Sequence, residues 1–168
     1  MISHGFQYLT EDRQDEIAPI LDILQQNIEE LGLPLRTIED EWGPGQCEFT
    51  FDPRDGLEAA DNLLLFRTAV KQICRRNELH ASFMTRPGLP NFFSSGWHLH
   101  QSIFDDSQKN NLFVNYSKSK APLSDIGMNF IGGILENTSA ATAFSTPTIN
   151  GYKRYAPNSF APKYINWA

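Results

Sequence analysis

The stretch Ser95-Gly-Trp-His-Leu-His-Gln-Ser-Ile103 alternates polar and apolar side chains over most of its length. A period of two is typical of a β-strand, because successive side chains point to opposite faces of the sheet. His98, His100 and Ser102 would then share one face, with the apolar residues mostly on the other. Two imidazoles and a hydroxyl need water or hydrogen-bond partners, so this face either lines a cleft or is simply exposed.

Upstream of this stretch, the sequence predicts a helix followed by a pair of short strands. Apolar residues recur at helical spacing from Ile17 to Leu31, and Gly32 follows where helix ends often need a positive φ. Residues 35–38 and 47–51 have the composition of short strands, and Trp42-Gly43-Pro44-Gly45 between them predicts a turn.

A second helix is expected from Asp55 to about Asn77, with Glu58 completing a capping box at its start. Its apolar stripe is formed by Leu63, Phe66, Val70 and Ile73. A strand from His80 to Met84 and then a loop rich in proline, glycine and serine are predicted to follow.

A third helix is predicted from Ser124 to Thr138, where Gly127, Gly132 and Gly133 suggest close packing against a neighbour. Beyond it, Asn150-Gly-Tyr-Lys-Arg154 is a basic segment between turn signals. Helices mixed with short strands in this order indicate an α+β fold in one domain, not a doubly wound sheet.

Composition excludes several classes of protein. The chain has 168 residues, 40% of them hydrophobic, and a net charge of -6 that disfavours nucleic acid as a partner. Cys47 and Cys74 are the only cysteines, which suits a reducing cytoplasm. No signal peptide or membrane-spanning run is seen, and the apolar end at Trp167 leads us to expect a segment of a longer protein.

Three residues suggest a metal site of a particular kind. Glu41, Glu48 and, far along the chain, His98 would give an oxygen-rich set with one imidazole, which suits Mg²⁺ or Mn²⁺ better than zinc. From the spacing alone, solvated surface glutamates and a structural histidine are the more common explanation of the same residues.

Nucleotide binding is not signalled by a glycine-rich phosphate loop, since neither common pattern occurs in the sequence. Lys153 and Arg154 are candidates for contacting phosphate, although two surface cations beside a turn are an equally simple interpretation. A serine nucleophile with His98 as its base finds no support, because the sequence has no G-x-S-x-G elbow.

Four ordered blocks together resemble the glutamine synthetase family. They are Glu41-Trp-Gly-Pro-Gly-Gln-Cys-Glu48, Phe83-Met-Thr-Arg-Pro87, Ser95-Gly-Trp-His-Leu-His-Gln-Ser102 and Asn150-Gly-Tyr-Lys-Arg154. The resemblance implies a glutamine synthetase/guanido kinase-like catalytic domain, a largely antiparallel sheet with flanking helices. Residues 1–168 would form its central, ATP-binding part, without the family's N-terminal β-grasp domain or its C-terminal remainder.

The same resemblance implies roles for individual residues. Glu41 and Glu48 would ligate one Mg²⁺ or Mn²⁺ ion on the glutamate side, and His98 would ligate a second ion that bridges the ATP phosphates. His100 and Ser102 match nucleotide-contacting positions. Arg154 matches the catalytic arginine that holds the glutamate carboxylate, and the substrate-binding set is Ser94, Gly96 and Arg154.

The implied reaction is ATP-dependent activation of the glutamate γ-carboxylate as γ-glutamyl phosphate, followed by amidation with ammonia. Family members assemble into homo-oligomeric rings whose active sites lie between subunits. We therefore expect residues 1–168 alone to be inactive, and we expect neither nucleic acid nor membrane as a partner.

Two departures from the family pattern concern the choice of substrates. Phe93-Ser94 replaces the Asn-Gly that shapes the glutamate pocket, and Phe160 falls where family members carry a glutamate that helps to deprotonate ammonium. An apolar ring cannot accept that proton. A γ-glutamyl amine or polyamine ligase is therefore the near alternative, and a non-catalytic relative that keeps only the fold is the more distant one.

Overall fold

A computed structural model describes residues 2–117, 120–156 and 161 of the chain. The described residues divide into two compact units. The first contains those of Met1–Ser95 and Lys153–Ala168, and the second those of Gly96–Tyr152.

The first unit is built from two long helices and a β-hairpin. Helix α1 spans Glu11–Glu30, strands β1 and β2 span Leu35–Asp40 and Cys47–Phe51, and helix α2 spans Gly56–Arg76. The strands are antiparallel, and α1 packs against both β1 and α2. The architecture is thus a two-stranded sheet covered by helices, which agrees with the α+β prediction.

The core of this unit joins the apolar stripes of the two helices to the hairpin. Its buried members are Ile17, Ile20, Leu21, Leu24, Ile28, Leu33, Phe66, Ala69, Val70, Ile73 and Cys74. The Phe66 ring lies 5.2 Å from Phe49, 5.0 Å from Phe51 and 5.8 Å from Phe83, between ring centroids. This packing attaches β2 firmly to α2, because edge-on aromatic pairs add to the burial of apolar area.

Both predicted helices of this unit are confirmed. Helix α1 ends just before Gly32, whose φ of +75° is the positive value expected there. The capping box at the start of α2 is wrong, since the Asp55 side chain makes no cap hydrogen bond and Glu58 pairs instead with Arg54, at 3.2 Å.

The described residues of the second unit form three helices: α3 over Asp125–Glu136, α4 over Thr138–Ser145 and α5 over Ile149–Tyr152. Ser124 caps α3 by accepting a hydrogen bond from the Gly127 N–H at 3.1 Å, so the predicted start is confirmed. Gly127 is buried against Leu123. Close packing at the other two glycines of α3 is not confirmed, because both are exposed with no described atom near the Cβ position.

The prediction of two further strands after α2 is wrong. Residues 80–84 and 97–103 have no regular secondary structure, and among the described residues the only sheet is the β1–β2 pair. An isolated bridge joins Phe104 to Asn111. Alternation predicts which side chains share a face, but a strand also needs a hydrogen-bonded neighbour, and alternation does not supply one.

None of the helices in the described part of the chain is both long enough and apolar enough to cross a bilayer.

Candidate functional site

The turn of the β-hairpin carries the two glutamates that were predicted to ligate a metal ion. It is closed by the Glu41 N–H, which donates to the Gln46 carbonyl at 2.9 Å, and by the Gln46 N–H, which donates to the Gly43 carbonyl at 2.9 Å. Gly45 has a φ of +64°, a backbone conformation that favours glycine. The closed turn places Glu41 at the end of β1 and Glu48 near the start of β2, both half-buried.

Three carboxylates concentrate negative charge at this end of the hairpin. Glu39 and Glu48 are register partners on β1 and β2, and Glu41 lies two residues beyond Glu39. Tyr8 donates its hydroxyl to Glu39 Oε2 at 3.3 Å. The pKa of Tyr8 is raised mainly by the charge of Glu39, then by desolvation and by the charges of Glu41 and Glu48, so one phenol senses all three carboxylates.

These donors fit a hard divalent cation. Carboxylate oxygens are the preferred ligands of Mg²⁺ and Mn²⁺, and their mutual repulsion favours a bound positive charge. Within the described residues, no three His, Cys, Asp or Glu side chains already converge closely enough to form a metal site. The metal roles predicted for Glu41, Glu48 and His98 stay predictions.

An N-terminal segment, residues 3–8, runs along the hairpin and fixes its turn. Ser3 Oγ accepts a hydrogen bond from the Gly45 N–H at 3.0 Å, and the Phe6 N–H donates to the Trp42 carbonyl at 2.8 Å. Gly5 has a φ of +67°, and a Cβ there would lie 2.4 Å from the Pro44 nitrogen. Glycine is therefore required at position 5 for the segment to approach the turn.

Asp40, directly before the turn, is a buried carboxylate. It is 2% exposed, and the Gln7 amide donates to its Oδ2. Its Oδ1 finds no hydrogen-bond partner among the described residues. Burial raises the pKa of Asp40, the Gln7 hydrogen bond opposes that shift, and the charges of Glu16 and Glu41 add to it. Asp40 is thus a buried carboxyl group beside the site, and among the described residues one of its oxygens accepts no hydrogen bond.

Ser94 is tied to the turn through one side chain. Gln46 Oε1 accepts from the Gly43 N–H at 3.0 Å, while its Nε2 donates to the Ser94 carbonyl at 3.3 Å. Arg86 Nη1 lies 3.3 Å from Ser94 Oγ as a hydrogen-bond donor. The structure therefore brings the predicted substrate-binding residue Ser94 to the same turn that carries Glu41.

The second unit carries Gly96, His98, His100 and Ser102 at its start. All four are exposed, on backbone without regular secondary structure. A Cβ on Gly96 would lie 2.6 Å from His98 Nε2, so the imidazole folds back over the glycine. A side chain at position 96 would meet only the far end of this exposed imidazole, which can rotate away, so the predicted role of Gly96 stays a prediction.

Arg154 belongs to the first unit and is half-buried, beside the exposed Lys153. Its predicted role in holding the glutamate carboxylate stays a prediction. Phe160 and Trp167 lie outside the described residues.

The sequence model of the family described as glutamine synthetase, catalytic domain, matches residues 1–168. The chain belongs to the glutamine synthetase family. It is 45% identical over 168 residues to a γ-glutamylanilide synthase from Acinetobacter sp., a match that covers 99% of the chain and 33% of that relative. The glutamine synthetase of Clostridium saccharobutylicum is 38% identical over 141 residues, which cover 84% of the chain and 31% of that enzyme.

Solved structures of this family share the fold. A GmaS/ADP complex superposes with a TM-score of 0.79 at 27% identity, over 93% of the chain and 36% of that protein. The cryo-EM structure of Plasmodium falciparum glutamine synthetase gives 0.79 at 26% identity, over 94% of the chain and 29% of that protein. The chain spans about a third of the length of the curated relatives it matches.

Sequence reasoning missed three residues of the site. Tyr8 and Glu39 extend the acidic group, and Gln46 connects the turn to Ser94. A weaker signal existed for Glu39, because it is a carboxylate two residues before Glu41, directly after the strand predicted over residues 35–38. Tyr8 and Gln46 gave no signal, since their contacts join residues 31 and 48 positions apart.

Proposed function

We propose that the full-length protein containing this chain is an ATP-dependent carbon–nitrogen ligase that joins the γ-carboxylate of glutamate to an amine. The observation that carries the proposal is the group of three carboxylates at the hairpin end, Glu39, Glu41 and Glu48, all of which raise the pKa of Tyr8. A scaffold gains nothing from placing three negative charges together, whereas a ligase handling phosphate needs cations there.

In this proposal Glu41 and Glu48 hold one Mg²⁺ or Mn²⁺ ion, and His98 holds a second. When bound, the ions neutralise the negative charge of ATP and of the glutamate carboxylate. Arg154 pairs with the α-carboxylate of glutamate, for which a guanidinium is the best-matched side chain.

The nucleotide and the substrate backbone use the remaining predicted residues. His100 and Ser102 contact ATP, and both are exposed and free to do so in the second unit. Ser94 and Gly96 border the glutamate. The carbonyl of Ser94 is held by Gln46, which attaches Ser94 to the hairpin turn.

Two steps complete the reaction. An oxygen of the γ-carboxylate attacks the γ-phosphorus of ATP, the P–O bond to ADP breaks, and γ-glutamyl phosphate forms. The amine nitrogen then attacks the γ-carbonyl carbon, a C–N bond forms, the C–O bond to phosphate breaks, and inorganic phosphate leaves. The nitrogen gives up one proton to solvent or to a carboxylate of the site.

An amine larger than ammonia is the acceptor that we favour. The relative from Acinetobacter is by name a γ-glutamylanilide synthase, and it matches 99% of this chain. Phe160, at the position where the family's proton-accepting glutamate is expected, suits an amine that is already neutral. Formation of glutamine from ammonia is the second candidate, because the relative from Clostridium is named glutamine synthetase.

Assembly also enters as a proposal. The family resemblance implies a homo-oligomeric ring in which neighbouring subunits share active sites, and residues 1–168 alone would then lack activity. All activity tests below therefore use the full-length protein.

The test is to incubate the full-length protein with glutamate, ATP, Mg²⁺ and a panel of amines, and to measure ADP and the γ-glutamyl amide by mass spectrometry. We expect equal amounts of ADP and amide, and a loss of at least about a hundredfold in Glu41→Gln. Glu136→Gln, which changes an exposed glutamate of α3, is the matched control. ADP without amide, or no ATP consumption with any amine, would reject the ligase and favour a non-catalytic relative.

A further inference from the structure

Three aromatic rings meet beside the hairpin turn. Phe6, Trp42 and Phe93, called here the aromatic trio, have ring centroids 6.3 Å apart for Phe6–Trp42, 5.6 Å for Phe6–Phe93 and 6.3 Å for Trp42–Phe93. Each pair is edge-on, with interplanar angles of 70°, 84° and 84°. Edge-to-face pairs attract, so the trio is a built cluster assembled from three distant parts of the chain.

The trio is attached directly to the acidic site. Trp42 follows Glu41, and the backbone N–H of Trp42 donates to Glu41 Oε2 at 2.9 Å. The Phe6 N–H donates to the Trp42 carbonyl at 2.8 Å. Phe93 precedes Ser94, whose carbonyl is held by Gln46. Any molecule that reaches the Glu41 carboxylate therefore lies within reach of these rings.

The trio differs from the ordinary core of the unit. Phe6 is 53% exposed, and Trp42 and Phe93 are half-buried, whereas the core ring Phe66 is only 5% exposed. Phe6 also has a φ of +61°, a conformation that is unfavourable for a residue with a side chain. A phenyl ring kept half-exposed on a strained backbone is poorly explained by packing alone, which favours a role in contacting another molecule.

We infer that the aromatic trio is the part of the site that selects the amine, and that it contacts the aryl ring of an aromatic primary amine. This inference rests on the proposed ligase function and names its substrate class. An aryl ring adds apolar area and further edge-on contacts, neither of which ammonia can supply. An arylamine is also neutral near pH 7, so its nitrogen needs no carboxylate to remove a proton before it attacks.

The rival occupant is a polyamine, whose cationic nitrogens are attracted both to aromatic faces and to Glu39, Glu41 and Glu48. The rings of the trio direct their edges at one another, whereas a cation is attracted to the face of a ring. The three carboxylates at the hairpin end are expected to bind the divalent cation. An uncharged ring therefore suits the trio better.

The test compares kcat/KM for aniline, methylamine and putrescine in the full-length protein and in Phe6→Leu. We expect the ratio of aniline to methylamine to fall by about tenfold in Phe6→Leu, since a lost aromatic pair and its contact area correspond to roughly this change. Phe6→Tyr, which keeps the ring, should restore the ratio to within about threefold. The control is Phe144→Leu, at a phenylalanine that is 87% exposed on α4.

The outcomes separate this inference from the function on which it rests. Equal losses with aniline and methylamine would mean that Phe6 only holds the turn in place, and the inference would be wrong. A preference for putrescine over aniline would also reject it, while the ligase itself would stand. If no amine yields an amide, the proposed function fails and the inference fails with it. Trp42→Phe gives a second, milder variant should Phe6→Leu not fold.

Discussion

Glu39 on β1 and Glu48 on β2 face each other as register partners across the hairpin. Like charges directly opposite one another destabilise an antiparallel pair. The hairpin tolerates this because its other face packs through Phe49 and Phe51 onto Phe66. Stability is thus supplied by one face of the hairpin, whereas the other face presents the carboxylates that we propose bind a cation.

Replacing Glu48 by glutamine tests the cation site directly. We expect Glu48→Gln to weaken Mn²⁺ binding by at least about tenfold, because one charged oxygen donor is lost from an acidic group. Calorimetric titration of the full-length protein measures this, with Glu136→Gln as the control. Unchanged affinity in Glu48→Gln would mean that the cation does not bind at the hairpin.

Gly5 and Gly32 form a matched pair, since both have a positive φ but only Gly5 is crowded. An alanine at position 32 meets no atom within 4 Å, so Gly32→Ala should lower the free energy of unfolding only by strain, about 1 kcal/mol. A Cβ at position 5 would lie 2.4 Å from the Pro44 nitrogen, and we expect Gly5→Ala to lose about 3 kcal/mol. Thermal melts at one protein concentration measure both, and equal shifts would contradict the crowding.

Asp40→Asn should make stability less dependent on pH. Burial raises the pKa of Asp40 in the folded state, so its contribution to stability is present below the pKa of an ordinary aspartate and is lost as the pH rises through the raised value. The melting temperature of Asp40→Asn relative to the wild type should therefore increase over that window and then level off.

Melts in the presence of a chelator, from acidic to neutral pH, measure this difference without bound metal. Asp61→Asn, at an exposed aspartate of α2, is the control and should follow the wild type. A difference that shrinks as the pH rises would show that the folded state favours the ionised carboxyl at position 40.

Cys47 should resist alkylation in the folded protein. Burial, with smaller effects of Asp40 and Cys74, raises the pKa of Cys47 to about 12, so almost no thiolate exists at mildly alkaline pH. We expect iodoacetamide to label Cys47 only after unfolding in guanidinium chloride, as mapped by peptide mass spectrometry. Rapid labelling of the native protein would show that the start of β2 opens.

Helices α1 to α3 and the hairpin were predictable because their signals are local, whereas α4 and α5 were not predicted. The apolar stripe of α2 repeats at helical spacing, and Gly32 marks the end of α1 by its need for a positive φ. The turn between the strands is similarly encoded by Gly43, Pro44 and Gly45. In each case the residues that give the signal are the residues that adopt the structure.

The strand predicted over residues 97–103 failed for a reason that the sequence does not carry. Its alternation is genuine, yet Ile103 accepts a backbone hydrogen bond from Leu112 at 2.7 Å and the bridge forms one residue later, at Phe104. Pairing depends on a neighbouring strand, and that neighbour is set by the rest of the fold. Short-range patterns cannot identify it.

The candidate site was predictable at Glu41, Glu48 and Ser94 but not in its aromatic contacts. Glu41 and Glu48 are recognisable because they flank a turn, whereas the aromatic trio joins positions 6, 42 and 93 through tertiary packing alone. Phe93 was noticed as a departure from the family pattern, but its two partners were not. The contacts among them depend on the path of residues 3–8.

That path has a consequence for how selectivity can change. The segment of residues 3–8 meets the hairpin through its own backbone, two hydroxyls, an amide and a glycine, and it brings one ring of the aromatic trio, Phe6. A different side chain at this single position would alter the amine-facing surface while every hydrogen bond to the turn persists. Exchanging the segment of residues 3–8 between relatives would thus change which amine the enzyme accepts while the residues proposed for catalysis stay the same.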